Sequence, residues 1–105
     1  MSPSLEAQLD GILLDQYKAC WSYLNLGNTS GYIPRIKVAY SRDGTLVGQP
    51  ELTNPSNNPT VRGLADSALR AIRRCNPLKI PAQFAPYYEQ WKSRYVRFDP
   101  DELSG

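Results

Sequence analysis

Histidine does not occur in the 105-residue chain. Its absence removes the commonest metal ligand and the usual neutral-pH general base, so any chemistry would fall to carboxylates, Lys, Tyr or Cys. The only cysteines, Cys20 and Cys75, have no CxxC spacing and cannot supply a structural zinc site, which takes four Cys/His ligands. They are either two core thiols or one disulfide. No apolar run approaches the roughly eighteen residues of a spanning helix, and the N-terminus lacks the basic start, apolar run and small-residue cleavage site of a signal peptide. Direct membrane insertion by this chain is not expected, and if it belongs to a membrane-linked protein it is expected to be a piece of one. Charge of one sign is scarce as well: 12 Lys+Arg against 10 Asp+Glu give a net charge of +2, too mild by itself to point to nucleic acid or an anionic surface. Gly44, Gly48 and Gly63 form no phosphate-cradling loop, and no Ser sits in a GxSxG elbow. The expectation is a non-enzyme with no cofactor and no metal.

What is present reads as one small soluble domain over residues 1–105. An apolar fraction of 41% with 21% charged is ordinary for a globular protein, and a chain of this size can bury roughly 60–65% of its unfolded surface. Leu5, Leu9, Ile12, Leu13, Tyr17, Cys20, Trp21 and Leu24 recur at steps of three and four, predicting a helix over 5–24 with Ser4 as its N-cap. Gly27, Asn28 and Gly31 open a loop, and Pro34 ends any helix. From Arg35 the period becomes two: Ile36, Val38 and Tyr40 share one face, and Arg35, Lys37 and Ser41 the other. Asp43-Gly44 then predicts a type I′ hairpin, whose return strand over 45–53 carries Pro50 and so belongs at a sheet edge.

Asn58-Pro59 predicts the start of a second helix, with Val61, Leu64, Ala65, Ala68, Leu69, Ile72 and Cys75 on its apolar stripe. Asn76-Pro77 stops it. An irregular stretch punctuated by Pro81 and Pro86 leads to a last strand over 93–99. With the Pro50 strand at one edge, the last strand must pair on the far side of the first. The expected fold is α+β, an αββαβ two-layer sandwich: a three-stranded antiparallel sheet in order 2-1-3 with two helices on one face, and Ile36, Val38, Leu64, Leu69 and Ile72 in the core.

Three groups of residues are candidates for function. Arg62, Arg70, Arg73 and Arg74, with Arg94 and Arg97, could form a basic patch in a nucleic-acid-binding α+β module; a solvated helix face is the plainer account, since no RNP or GxxG pattern accompanies them. Asp99, Asp101 and Glu102 read as a polar tail. Phe84, Tyr87, Tyr88, Trp91 and Tyr95 cluster near the C-terminus, where most are expected to cap the core and the rest to offer a binding surface, because Tyr and Trp are enriched in interface cores.

Three stretches, DGTLVGQPEL, LADSALRAIRRCNPLKIP and YEQWKSRYVRFDP, together with Cys20-Trp21, resemble in order and spacing the C-terminal periplasmic domain family of TolA in its alphaproteobacterial form. The resemblance covers residues 5–100; residues 25–32 replace a proline-containing segment often found there. It implies a periplasmic, protein-binding domain of an inner-membrane-anchored protein of the Tol-Pal system, supporting outer-membrane integrity. The implied partners are the TolB N-terminal segment and Pal, TolQ and TolR through the membrane part, and colicins or phage coat protein that exploit the same domain. A TonB-like transducer contacting outer-membrane receptors is the neighbouring alternative. In an oxidising periplasm Cys20 and Cys75, each on the apolar stripe near the end of its helix, are expected to be bonded. The expected binding site is the edge Ser93, Arg94, Tyr95, Val96, Arg97 and Phe98, where a partner segment adds as a strand.

Overall fold

Pro3 has no N–H to lose at the first helical position, and Ser2 accepts from the Leu5 N–H at 3.2 Å, so the first helix, α1 (Pro3–Cys20), is capped by Ser2, two residues before the expected cap at Ser4. The computed structural model describes residues 1–21 and 31–99. The helix ends short of the expected Leu24: Trp21, extended at φ −90° and ψ 114°, is its C-cap, while Leu24, the loop residues Gly27 and Asn28, and the tail carboxylates Asp101 and Glu102 lie outside the described residues. Leu9, Leu13 and Tyr17 are the buried line of α1. No helix among the described residues is long and apolar enough to cross a membrane.

In β1 (Arg35–Ala39) the alternation works out as expected, with Ile36 and Val38 buried and Arg35 and Lys37 exposed. The turn that follows differs. Gly44 donates its N–H to the Ser41 carbonyl at 3.0 Å, and Ser41 donates to the Thr45 carbonyl at 2.8 Å. The central residues are therefore Arg42 and Asp43, and Gly44, at φ 88°, closes a three-residue loop in place of a type I′ turn. The Asp43 carboxylate holds this arrangement by accepting from the Ser41 hydroxyl and, at 3.0 Å, from the Thr45 N–H.

The return limb is not the continuous strand expected over 45–53. Tyr40 bridges Leu46 while Lys37 pairs with Glu51, so three steps on β1 face five on the returning chain. Two extra residues bulge out around Gly48-Gln49-Pro50, where Gly48 takes φ 73° and Pro50 has no N–H to donate. Only β2 (Glu51–Leu52) is regular strand.

Helix α2 (Pro59–Arg74) starts as expected, Asn58 Oδ1 accepting from the Thr60 N–H at 2.9 Å. Its buried line includes Val61, Leu64, Ala68, Ala71 and Ile72; Leu69, expected in the core, is only half-buried because Ala68 and Ala71 flank it on the inner side. The Asn76–Pro77 peptide is cis. The stretch expected to be irregular contains a 3-10 helix (Ala82–Tyr87) and one turn of α-helix, α3 (Tyr88–Trp91). Fully buried Trp91 donates its indole N–H to the Phe84 carbonyl at 2.8 Å, and Tyr88 donates to the Tyr40 carbonyl at 2.7 Å, so these aromatics are structural.

The last strand, β3 (Ser93–Arg97), pairs antiparallel with β1 in the register Arg35–Arg97 to Ala39–Ser93. The sheet order is β2-β1-β3, and the fold is α+β as expected. Ile36, Val38, Tyr40 and Val96 form a common core with Leu9, Leu13 and Tyr17 of α1 and Ala68 and Ile72 of α2. A disulfide joins Cys20 to Cys75, their Cα atoms 5.9 Å apart, and ties the ends of the two helices together. Beside it the Gln16 amide both donates to the Lys79 carbonyl and accepts from the Lys79 N–H, each at 2.9 Å.

Candidate partner-binding edge

The bonds flanking β3 tell which of its groups are free. Phe98 donates to the Pro34 carbonyl at 3.0 Å and Tyr40 donates to the Lys92 carbonyl at 2.7 Å, so both ends of the register are hydrogen-bonded pairs. Antiparallel ladders alternate, and the even-numbered residues of β3 therefore spend their main-chain groups on β1. Ser93, Tyr95 and Arg97 turn theirs to the outer edge, which pairs with no strand among the described residues.

The six residues expected at the site thus divide into two sets. Ser93, Tyr95 and Arg97 are exposed, with Tyr95 at 57%. Arg94, Val96 and Phe98 point inward. Phe98 lies just past β3, fully buried, with Tyr17 and Trp21 rings 5.8 and 5.3 Å from its own; its burial contributes about 2–3 kcal/mol and fixes the end of the strand. Arg94 forms an ion pair with Asp10 of α1. Burial pushes the Arg94 pKa down while the Glu6 carboxylate works against that shift, and a guanidinium remains charged throughout.

These contacts lay α1 alongside β3 in the same direction, from Asp10 beside Arg94 to Trp21 beside Phe98. Between helix and strand lies a groove of about 210 Å³ lined by Asp10, Leu13, Leu14, Tyr17 and residues 94–97. It has a polar end at the ion pair and an apolar middle at Leu14 and Val96. Tyr17, which lines the groove, shares a buried hydrogen bond between its hydroxyl and that of Tyr40; burial raises both, Tyr40 to about 12, and neither ionises at neutral pH.

Reading the strand by itself misses the α1 side of this groove. The signal was Leu14, an apolar residue one position off the helix's main stripe, and Asp10 four residues before it on the same shoulder. The arginines of α2 are not brought to this edge: Arg62, Arg70, Arg73 and Arg74 are exposed on a separate helix face.

A protein-family model described as "Uncharacterised conserved protein UCP034077" matches residues 7–88, which run from α1 to the first residue of α3 and stop short of β3. No curated protein and no solved structure matches the chain.

Proposed function

The chain belongs to the UCP034077 family, and from its own surface we propose that it is a protein-binding domain, not a catalyst, which receives an extended partner segment as a fourth strand beside β3. The observation that carries this reading is the open edge, where Ser93, Tyr95 and Arg97 present main-chain groups above a partly apolar groove. Strand addition draws affinity from main-chain bonds and selectivity from alternate side chains, and this edge offers both elements. The opposite edge is a poor rival because the bulge at Gly48-Gln49-Pro50 breaks it.

We further propose, following the resemblance of residues 5–100 to TolA C-terminal domains, a periplasmic setting in a Tol-Pal-type system with the TolB N-terminal segment or Pal as the partner. The Cys20–Cys75 disulfide supports an oxidising compartment. The test is binding of a synthetic peptide copying the N-terminal segment of the source organism's TolB, followed by fluorescence anisotropy. Tyr95→Pro and Arg97→Pro each remove an outward N–H and are expected to abolish binding while circular dichroism shows the fold retained. Val96→Pro removes an inward donor to β1 and is expected to unfold the chain. Full affinity in a folded Tyr95→Pro variant would overturn the proposal.

A further inference from the structure

On the solvent face of the sheet, Arg35 stands directly opposite Arg97, and Lys37 stands between Tyr95 on one side and Glu51 on the other. Like charges directly opposite each other destabilise a sheet, and no carboxylate among the described residues lies within ion-pair distance of Arg35, Lys37 or Arg97. The one carboxylate in register, Glu51, sits on the far strand from the open edge. This face therefore presents three cations and one exposed tyrosine beside the edge that the strand-addition reading assigns to a partner.

We infer that the partner segment is acidic and amphipathic, carrying carboxylates at the alternate positions that face solvent and apolar side chains at those between. The inference rests on strand addition at β3. A strand laid there runs about 4.8 Å from β3, so its outward side chains stand beside Tyr95 and Arg97. A carboxylate at that place answers the uncompensated Arg35–Arg97 pair. Its inward side chains enter the groove over Leu14 and Val96, where an unpaired charge would lose its hydration beside apolar surface. Arg and Tyr are also the side chains that most often anchor interfaces, and complementary charge supplies specificity and a faster approach. A basic or nucleic-acid occupant fits less well: the first would add to the repulsion, and the second would find one stacking ring and no use for the groove.

The experiment compares four probes of about ten units each, a usual strand length at its upper end: a peptide alternating valine with glutamate, its glutamine and lysine counterparts, and an oligothymidylate. Binding is measured by anisotropy at low and high ionic strength. The glutamate peptide is expected to bind roughly tenfold more tightly than the glutamine peptide at low salt, with the advantage lost at high salt and in Arg35→Gln/Arg97→Gln. Tyr95→Pro is expected to lose both peptides. Equal affinity for the glutamate and glutamine peptides, both lost in Tyr95→Pro, would overturn the acidic selection and leave strand addition standing. A glutamate preference that survives in a folded Tyr95→Pro variant would overturn strand addition and this inference with it. Tightest binding by the lysine peptide or the oligothymidylate would overturn it, as would no binding by any probe.

Discussion

Gly44 concentrates two separate demands in one residue. Its φ of 88° lies where side chains other than glycine are strained, and a Cβ there would overlap the Leu78 carbonyl, whose own N–H donates to the Gly44 carbonyl at 3.0 Å. Gly48 shares the first demand only, with φ 73° and open space around it. Gly48→Ala is expected to cost about 1 kcal/mol, the strain of the left-handed backbone alone. Gly44→Ala is expected to cost at least about 3 kcal/mol, because the segment after α2 must also move. Urea unfolding checks both, the midpoint falling while the slope stays constant; equal losses would show that Leu78 yields without penalty. The Asp43-Gly44 pair was legible in the sequence as a turn. Which of the two sits at the left-handed position was not, since that depends on the Ser41 and Thr45 bonds to Asp43 and on Leu78, thirty-four residues further along the chain.

Among the elements, the β1–β2 hairpin carries the acid sensitivity that can be assigned to one group. Hydrogen bonds from Ser41 and Thr45 hold the Asp43 carboxyl down to about 2, well under its ordinary range. A carboxyl lowered in the folded state stabilises the fold fully above about pH 4, and that contribution is lost as pH falls toward 2. Site-resolved carboxyl NMR is the measurement needed, because the hydrogen bond and charge of the Lys92 ammonium also lower the Glu89 carboxyl. The Asp43 midpoint is expected near 2, and Asp43→Asn is expected to flatten the acid limb of hairpin stability. A midpoint near 4 would mean that the turn bonds do not persist in solution. The same hairpin shows the reach of periodicity. Pro50 placed this limb at the edge, and the order β2-β1-β3 follows from it; the two-residue bulge that shortens β2 depends on how Leu46 and Leu52 each find cover, which is a matter of packing.

At the scale of the whole molecule, the Cys20–Cys75 link closes a loop with a sequence separation of 55 and joins the two helices that cover the sheet. Loop-closure entropy assigns it about 4 kcal/mol, which is an upper figure for a native bond. Reduction is expected to lower the unfolding free energy by an amount approaching that value, and thiol titration of the unreduced, unfolded protein is expected to find no free thiol; two free thiols would refute the link. The sequence by itself determined the two amphipathic helices, the alternation of Ile36, Val38 and Tyr40, the edge position of the Pro50 limb and hence the strand order, because period and proline act within a few residues. It also marked 93–98 as the stretch to watch. Only the tertiary structure decided that Tyr95 and Arg97 face outward while Phe98 is core, that Asp10 and Leu14 complete the groove, and that Arg35 meets Arg97 across the sheet. Register and helix-to-strand approach are set by which side chains fill one shared core. Residues that meet across more than sixty positions of chain leave no local trace of that meeting.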